Sequence, residues 1–109
     1  MSINSRQKGA RAERNLASKL REYGYGARRG QQFSGKNGDA DVVGLPRIHI
    51  ECKDVQRLNV LDAYDQSRRD ARPGEIPVVM HKKDYTPWYV TLSLEDFIRL
   101  YRDWEGDDE

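Results

Sequence analysis

Cysteine is all but missing from this 109-residue chain, which contains only Cys52. One thiol excludes an intrachain disulfide, so a reducing, cytoplasmic setting is the default expectation. With two histidines beside that single cysteine, a structural zinc site is not expected either. Long apolar runs are absent too: no stretch approaches a membrane span, and the polar segment from Ser2 to Lys8 gives no sign of a signal peptide. Neither an internal repeat nor a long linker divides the chain. Its length suits one domain with a modest core, expected over residues 1–104, followed by an acidic, disordered tail at 105–109. Overall charge is nearly balanced at +1, but its distribution is not. Up to Lys36 there are nine basic residues against Glu13 and Glu22, a net of +7, whereas Asp103 to Glu109 holds five acids and no base.

Among the charged residues present, the most informative are Asp41 and, ten residues later, Glu51-Cys52-Lys53. Ala40 to Leu45 reads as a short strand built on β-branched Val42 and Val43, stopped by a tight turn at Pro46. From Ile48 the residues alternate, with Ile48, Ile50 and Cys52 on one face and His49, Glu51 and Lys53 on the other. Glu51 and Lys53 therefore project together, and a hairpin at Pro46 brings Asp41 alongside them. Two carboxylates and an amine so placed suit a metal-dependent phosphodiesterase. Mg²⁺, for which Mn²⁺ would substitute, is satisfied by one or two carboxylates and several waters. It can polarise a phosphoryl oxygen and acidify an attacking water. Lys53 would orient that water or stabilise transition-state charge. The plain alternative is a solvated face on an edge strand. Asp39 competes with Asp41 as the carboxylate, and Asp41 is preferred because Val42 and Val43 continue from it as a strand. Cys52, on the opposite face, reads as core. His49 is left out of the catalytic set, since metal-activated water needs no separate base.

Asn4 to Tyr23 reads as an amphipathic helix with Gly9, Glu13, Leu16, Ala17 and Leu20 in one stripe, capped at Asn4 or Ser5 and stopped by Gly24. A lone carboxylate on an apolar stripe is costly to bury, so Glu13 is placed at the mouth of a site, facing a cation; pairing with an arginine is the alternative. Gly9 suggests close approach of another backbone, or a late helix start. A second helix is expected over Asn59–Ala71, stopped at Pro73-Gly74, then a buried strand over Ile76–Met80 and another around Tyr89–Ser93. A last helix opens at Ser93 and Asp96 in capping-box fashion. Its stripe of Leu94, Phe97, Ile98, Tyr101 and Trp104 reads as core, or as a dimer seam. Arg6, Lys8, Arg11, Arg28, Arg29 and Lys36 are candidate phosphate contacts, with Ser34, in the polar loop Gln31–Gly38, as a further hydrogen-bonding candidate. Arg14 and Arg21 are expected on a solvated helix face.

Asp41 before a hairpin and Glu51-Cys52-Lys53 on the next strand resemble the PD-(D/E)xK nuclease superfamily, although Ala40 stands where the family proline would be. Lys8-Gly9-Ala10-Arg11-Ala12-Glu13, with Leu16 and Leu20, resembles the opening helix of archaeal-type Holliday-junction resolvases and their phage relatives. Arg28-Arg29-Gly30 and Phe33-Ser34-Gly35 resemble the strand and flexible loop before the metal Asp, and Gln66 resembles a glutamine found after the Glu-x-Lys strand. The similarity runs from about Lys8 to Met80. It implies an α/β restriction-endonuclease-like core, a central mixed β-sheet flanked by helices in the order αβββαββα. It further implies a Mg²⁺-dependent endonuclease that nicks four-way junctions symmetrically. Glu13, Asp41 and Glu51 would then hold metal, Lys53 would assist, and Gln66 would be an accessory. The two-fold symmetry of the substrate suits a homodimer. The alternatives are a nuclease of the same fold acting on flaps, nicks or duplex, a non-catalytic DNA-binding module, and an interaction protein independent of nucleic acid.

Overall fold

The computed structural model describes residues 5–31 and 39–106. Eight elements follow in the expected order: α1 (Ser5–Glu22), β1 (Arg28–Arg29), β2 (Val42–Val43), β3 (Ile48–Asp54), α2 (Val60–Asp70), β4 (Ile76–Lys82), β5 (Tyr89–Thr91) and α3 (Leu94–Gly106). The strands form one mixed sheet in the order β1-β2-β3-β4-β5. β3 and β4 run parallel, with Ile50 beside Val78 and Glu51 beside Val79, and all other pairs are antiparallel. Parallel neighbours need a crossover, and α2 supplies it. This is an α/β restriction-endonuclease-like architecture.

Helical and strand periodicities meet in the core. Ala12, Leu16 and Ala17 of α1 pack with Ile50, Cys52, Val78 and Met80 on one face of the central strand pair. α2 covers the other face, where Ser67, fully buried, hydrogen-bonds the carbonyls of His49 (3.2 Å) and Val78 (3.0 Å). Glu51 is consequently only 4 % exposed. It lies on a central strand, which excludes the solvated-edge reading. Asn59 caps α2 by accepting the Asp62 N–H at 3.1 Å. Ser93 Oγ accepts the Asp96 N–H at the same distance, as the capping-box pattern predicts.

Some elements depart from expectation. β1 and β2 are only two residues each. Their pairing nevertheless continues through Gly30 N–H to the Asp41 carbonyl and Asp39 N–H to the Gln31 carbonyl, both at 2.9 Å. The approach is close: a Cβ on Gly30 would lie 1.8 Å from the Ala40 carbonyl oxygen. The largest correction concerns α3. Its stripe was expected in the core, yet α3 buries no residue. Leu94, Phe97, Leu100, Tyr101 and Trp104 are all more than two-fifths exposed. An amphipathic pattern fixes which face is apolar, not what covers it. α3 also runs through Glu105 and Gly106, which were expected to be unstructured; residues 107–109 lie outside the described region, as do Asn4 and most of the loop Gln31–Gly38. No helix among the described residues is long and apolar enough to cross a membrane.

Candidate active site

The sheet opens beside the last residues of β3. The register pairs Val42 with Ile50, and the Asp41 N–H reaches the Ile50 carbonyl at 3.0 Å. Beyond that point the Asp41 side chain takes over from the backbone: its Oδ2 accepts the Cys52 N–H at 2.9 Å. The carboxylate is thereby fixed against β3, next to Glu51. Asp39, the competing acid, faces elsewhere: its Oδ2 accepts the Gln31 N–H at 2.9 Å and lies 3.9 Å from Arg28. Geometry thus favours Asp41 over Asp39.

Glu13, Asp41, Glu51, Lys53 and Gln66 all line one cleft of about 410 Å³, together with Lys8 and Asp54. Five side chains from α1, the start of β2, β3 and α2 therefore converge as the sequence pattern anticipates. Lys53 Nζ lies 3.8 Å from Glu51 Oε2. Burial, and after it the charge of Asp41, push the Glu51 carboxyl up to about 7, with Lys53 only partly opposing them. Glu13 is raised as well, chiefly by burial; its hydrogen bond to Arg29 opposes the shift and the Asp41 charge reinforces it. That Glu13 Oε1–Arg29 Nε contact measures 2.9 Å. Pairing with an arginine is the alternative that the sequence leaves open for Glu13, and the structure supplies it through Arg29, which the sequence marks only as a phosphate contact.

Among the described residues no three Asp, Glu, His or Cys side chains converge closely enough to enclose a metal ion. The donor set nevertheless fits a hard cation. Asp41 and Glu51 are neighbouring carboxylates whose mutual repulsion Lys53 does not cancel, and Mg²⁺ needs only one or two carboxylates besides water. Glu13 sits at the rim, engaged by Arg29.

The remaining candidates divide. Arg6, Lys8 and Arg11 are exposed on α1. Arg28 is exposed on β1 with its guanidinium on the Arg29 carbonyl at 3.1 Å. Ser34 and Lys36 lie outside the described residues. A Cβ at Gly9 would meet nothing within 4 Å, so no backbone among the described residues requires a glycine there. Arg14 is exposed as expected. Arg21, expected to be merely solvated, donates to the Ala27 carbonyl at 2.7 Å. His49 is buried with Nδ1 3.5 Å from Glu75, outside the cleft. Burial pushes the Cys52 thiol far up, which suits a core residue and not a nucleophile. Asp54, which pairs with Lys82 at 3.9 Å, lines the cleft but was missed, because strand alternation puts it opposite Lys53.

A mixed sheet with an Asp at the head of one strand, Glu-x-Lys on its longer neighbour and a helix glutamate beside them defines the class of PD-(D/E)xK nucleases. The chain matches the profile of the family "Phage putative PDDEXK endonuclease" over residues 4–108, and it belongs to that family. Among solved structures it is similar to that of Hjc from Archaeoglobus fulgidus, a Holliday junction resolvase from an archaeal hyperthermophile. The two are 29% identical with a TM-score of 0.58, over 78% of this chain and 72% of that one. No curated protein matches the chain.

Proposed function

We propose that this nuclease is a divalent-metal-dependent, structure-selective DNA endonuclease whose preferred substrate is the four-way junction. The observation that carries the reading is the Asp41–Glu51 carboxylate pair, only partly offset by Lys53, in the cleft that all three line. The similarity to an archaeal Holliday junction resolvase supports the choice of substrate. Asp41 and Glu51 would hold Mg²⁺ or Mn²⁺, with Glu13 completing the acidic rim. The bound cation supplies Lewis acidity at the scissile phosphate. Lys53 places its ammonium where charge accumulates on the phosphoryl oxygens. Gln66, exposed at the rim, is an accessory hydrogen-bonding group. Water attacks phosphorus in line, the P–O bond opposite it breaks, and no covalent enzyme intermediate forms. Arg6, Lys8, Arg11 and Arg28, with Ser34 and Lys36, bind backbone phosphates; Arg29 divides its charge between them and Glu13.

The working unit in this reading is a homodimer acting in the cytoplasm of a cell or of an infected host. Residues 1–104 form its nuclease domain and the acidic end takes no part. The exposed stripe of α3, Leu94, Phe97, Leu100, Tyr101 and Trp104, presents an apolar face of the kind that a second copy would cover. Arg99, Leu100 and Asp103 of α3 line a pocket with Ile48 and Ile76, where β3 and β4 begin, so a partner seated there leaves the cleft at the other end of β3 open. The test compares labelled four-way junction, flap, nicked and linear duplex with Mg²⁺ and with Mn²⁺. Paired symmetric nicks confined to the junction are expected. Equal cutting of linear duplex would make this a general nuclease, and salt-sensitive binding without cutting in either metal would make it a DNA-binding module.

A further inference from the structure

The turn between β4 and β5 and the groove beside it take no part in the chemistry above. Tyr85, in that turn, is 104% exposed, and its backbone sits at φ 67°, a region that bulky residues seldom adopt. The turn is well tied down. Lys83 N–H donates to Thr86 Oγ1 at 3.1 Å and Thr86 N–H to the Lys83 carbonyl at 3.2 Å. Asp84 N–H donates to Gln56 Oε1 at 2.8 Å, anchoring the turn to the β3–α2 connection. A large aromatic is thus held out in water on a strained, braced backbone, a combination that persists where it is used.

Beside the turn lies a groove of about 330 Å³, with Val55, Leu58, Val60 and Tyr89 among its lining residues. The Tyr89 ring is half-exposed and lies 6.2 Å from the ring of His81, which is itself fixed by a 2.8 Å contact with Thr91 Oγ1. Lys82 and Lys83 line the same groove, and Arg57 is exposed next to Gln56. Val55 lines both this groove and the catalytic cleft. The two depressions therefore adjoin at Val55, just past the end of β3.

We propose that this groove receives an unpaired nucleobase of the DNA strand whose phosphate occupies the cleft. The base stacks against Tyr89, its phosphates meet Lys83 and Arg57, and Tyr85 stacks on the base step left open beside it. Aromatic platforms flanked by cations hold single-stranded bases whatever their identity. Extruding a base is easiest where pairing is already interrupted, so the groove would select branched over fully paired DNA. The inference rests on the nuclease reading above and adds its selectivity element.

The test places 2-aminopurine at the branch point of a four-way junction, with Ca²⁺ in place of Mg²⁺ to leave the strands uncut. Binding of the wild-type protein is expected to quench its fluorescence. Tyr85→Phe and Tyr89→Phe should retain that response. Tyr85→Ala and Tyr89→Ala should lose it and bind the junction about ten-fold more weakly; the exposure of both rings makes unfolding a minor concern, which a thermal melt checks. An unresponsive probe, or alanine variants that behave as wild type, would overturn the proposal. If the wild type still cuts junctions in Mg²⁺ in that case, the proposed function stands without it. If the wild type neither binds nor cuts junctions, both fall.

Discussion

Glu51 couples the chemistry of the cleft to the stability of the fold. Its unperturbed value is 4.5 and its folded value about 7, so folding takes up a proton between those limits. The stability contributed by the neutral carboxyl is full below about pH 4.5 and is lost as pH rises through about 7. Glu13, also raised, adds to the same slope. Metal-free protein should therefore melt at progressively lower temperature from pH 5 to 8. Glu51→Gln should flatten that dependence, which melts in EDTA across the range would check, and a variant with the full wild-type slope would refute the assignment. Lys53→Ala should slow single-turnover cleavage by about 10²-fold, the usual loss when a positioned charge stabiliser is removed, with little change in DNA affinity. At this scale Asp41, Glu51 and Lys53 were legible because strand alternation alone projects Glu51 and Lys53 together. That Glu13 pairs with an arginine was an open alternative; that the partner is Arg29 was not legible, since the contact joins residues sixteen apart through a fold not yet known.

Elements differ in how much of their structure is local. α1, β3 and α2 carry strong periodicity, α2 also its own cap at Asn59, and they were readable almost to the residue. Removing the α2 cap with Asn59→Ala should cost about 1 kcal/mol in denaturant titration. β1 and β2 are too short to show a period; they exist because β3 offers a ladder and Asp41 extends it with its side chain. Gly30, buried against the neighbouring strand, is consequently expected not to tolerate even a methyl group in Gly30→Ala. Its Cβ would collide with the Ala40 carbonyl and Asp39, forcing apart the strands that aim Asp41. A loss of about 1–3 kcal/mol, accompanied by a fall in cleavage, is the expected outcome. Wild-type stability and activity in that variant would show that the hairpin does not position Asp41.

For the whole molecule, the reading of α3 as core, overturned by the structure, is itself informative. A thirteen-residue helix with no buried side chain has little to hold it in water on its own, and its exposed apolar stripe is of the kind that marks an interaction surface. The proposed dimerisation through α3 would account for both. Analytical ultracentrifugation at micromolar concentration should give a dimer for the wild type and a folded monomer for Trp104→Asp or Phe97→Asp. A wild type that stays monomeric both free and with junction DNA would reject the assembly. The central claim concerns the cleft, and one measurement addresses it most directly: single-turnover cleavage of a labelled four-way junction in Mg²⁺, wild type beside Glu51→Ala and Lys53→Ala, with binding followed in parallel. The account predicts paired symmetric nicks by the wild type, loss of cutting by Glu51→Ala and cutting about 10²-fold slower by Lys53→Ala, with binding retained in both variants. Undiminished cleavage by Glu51→Ala would contradict it.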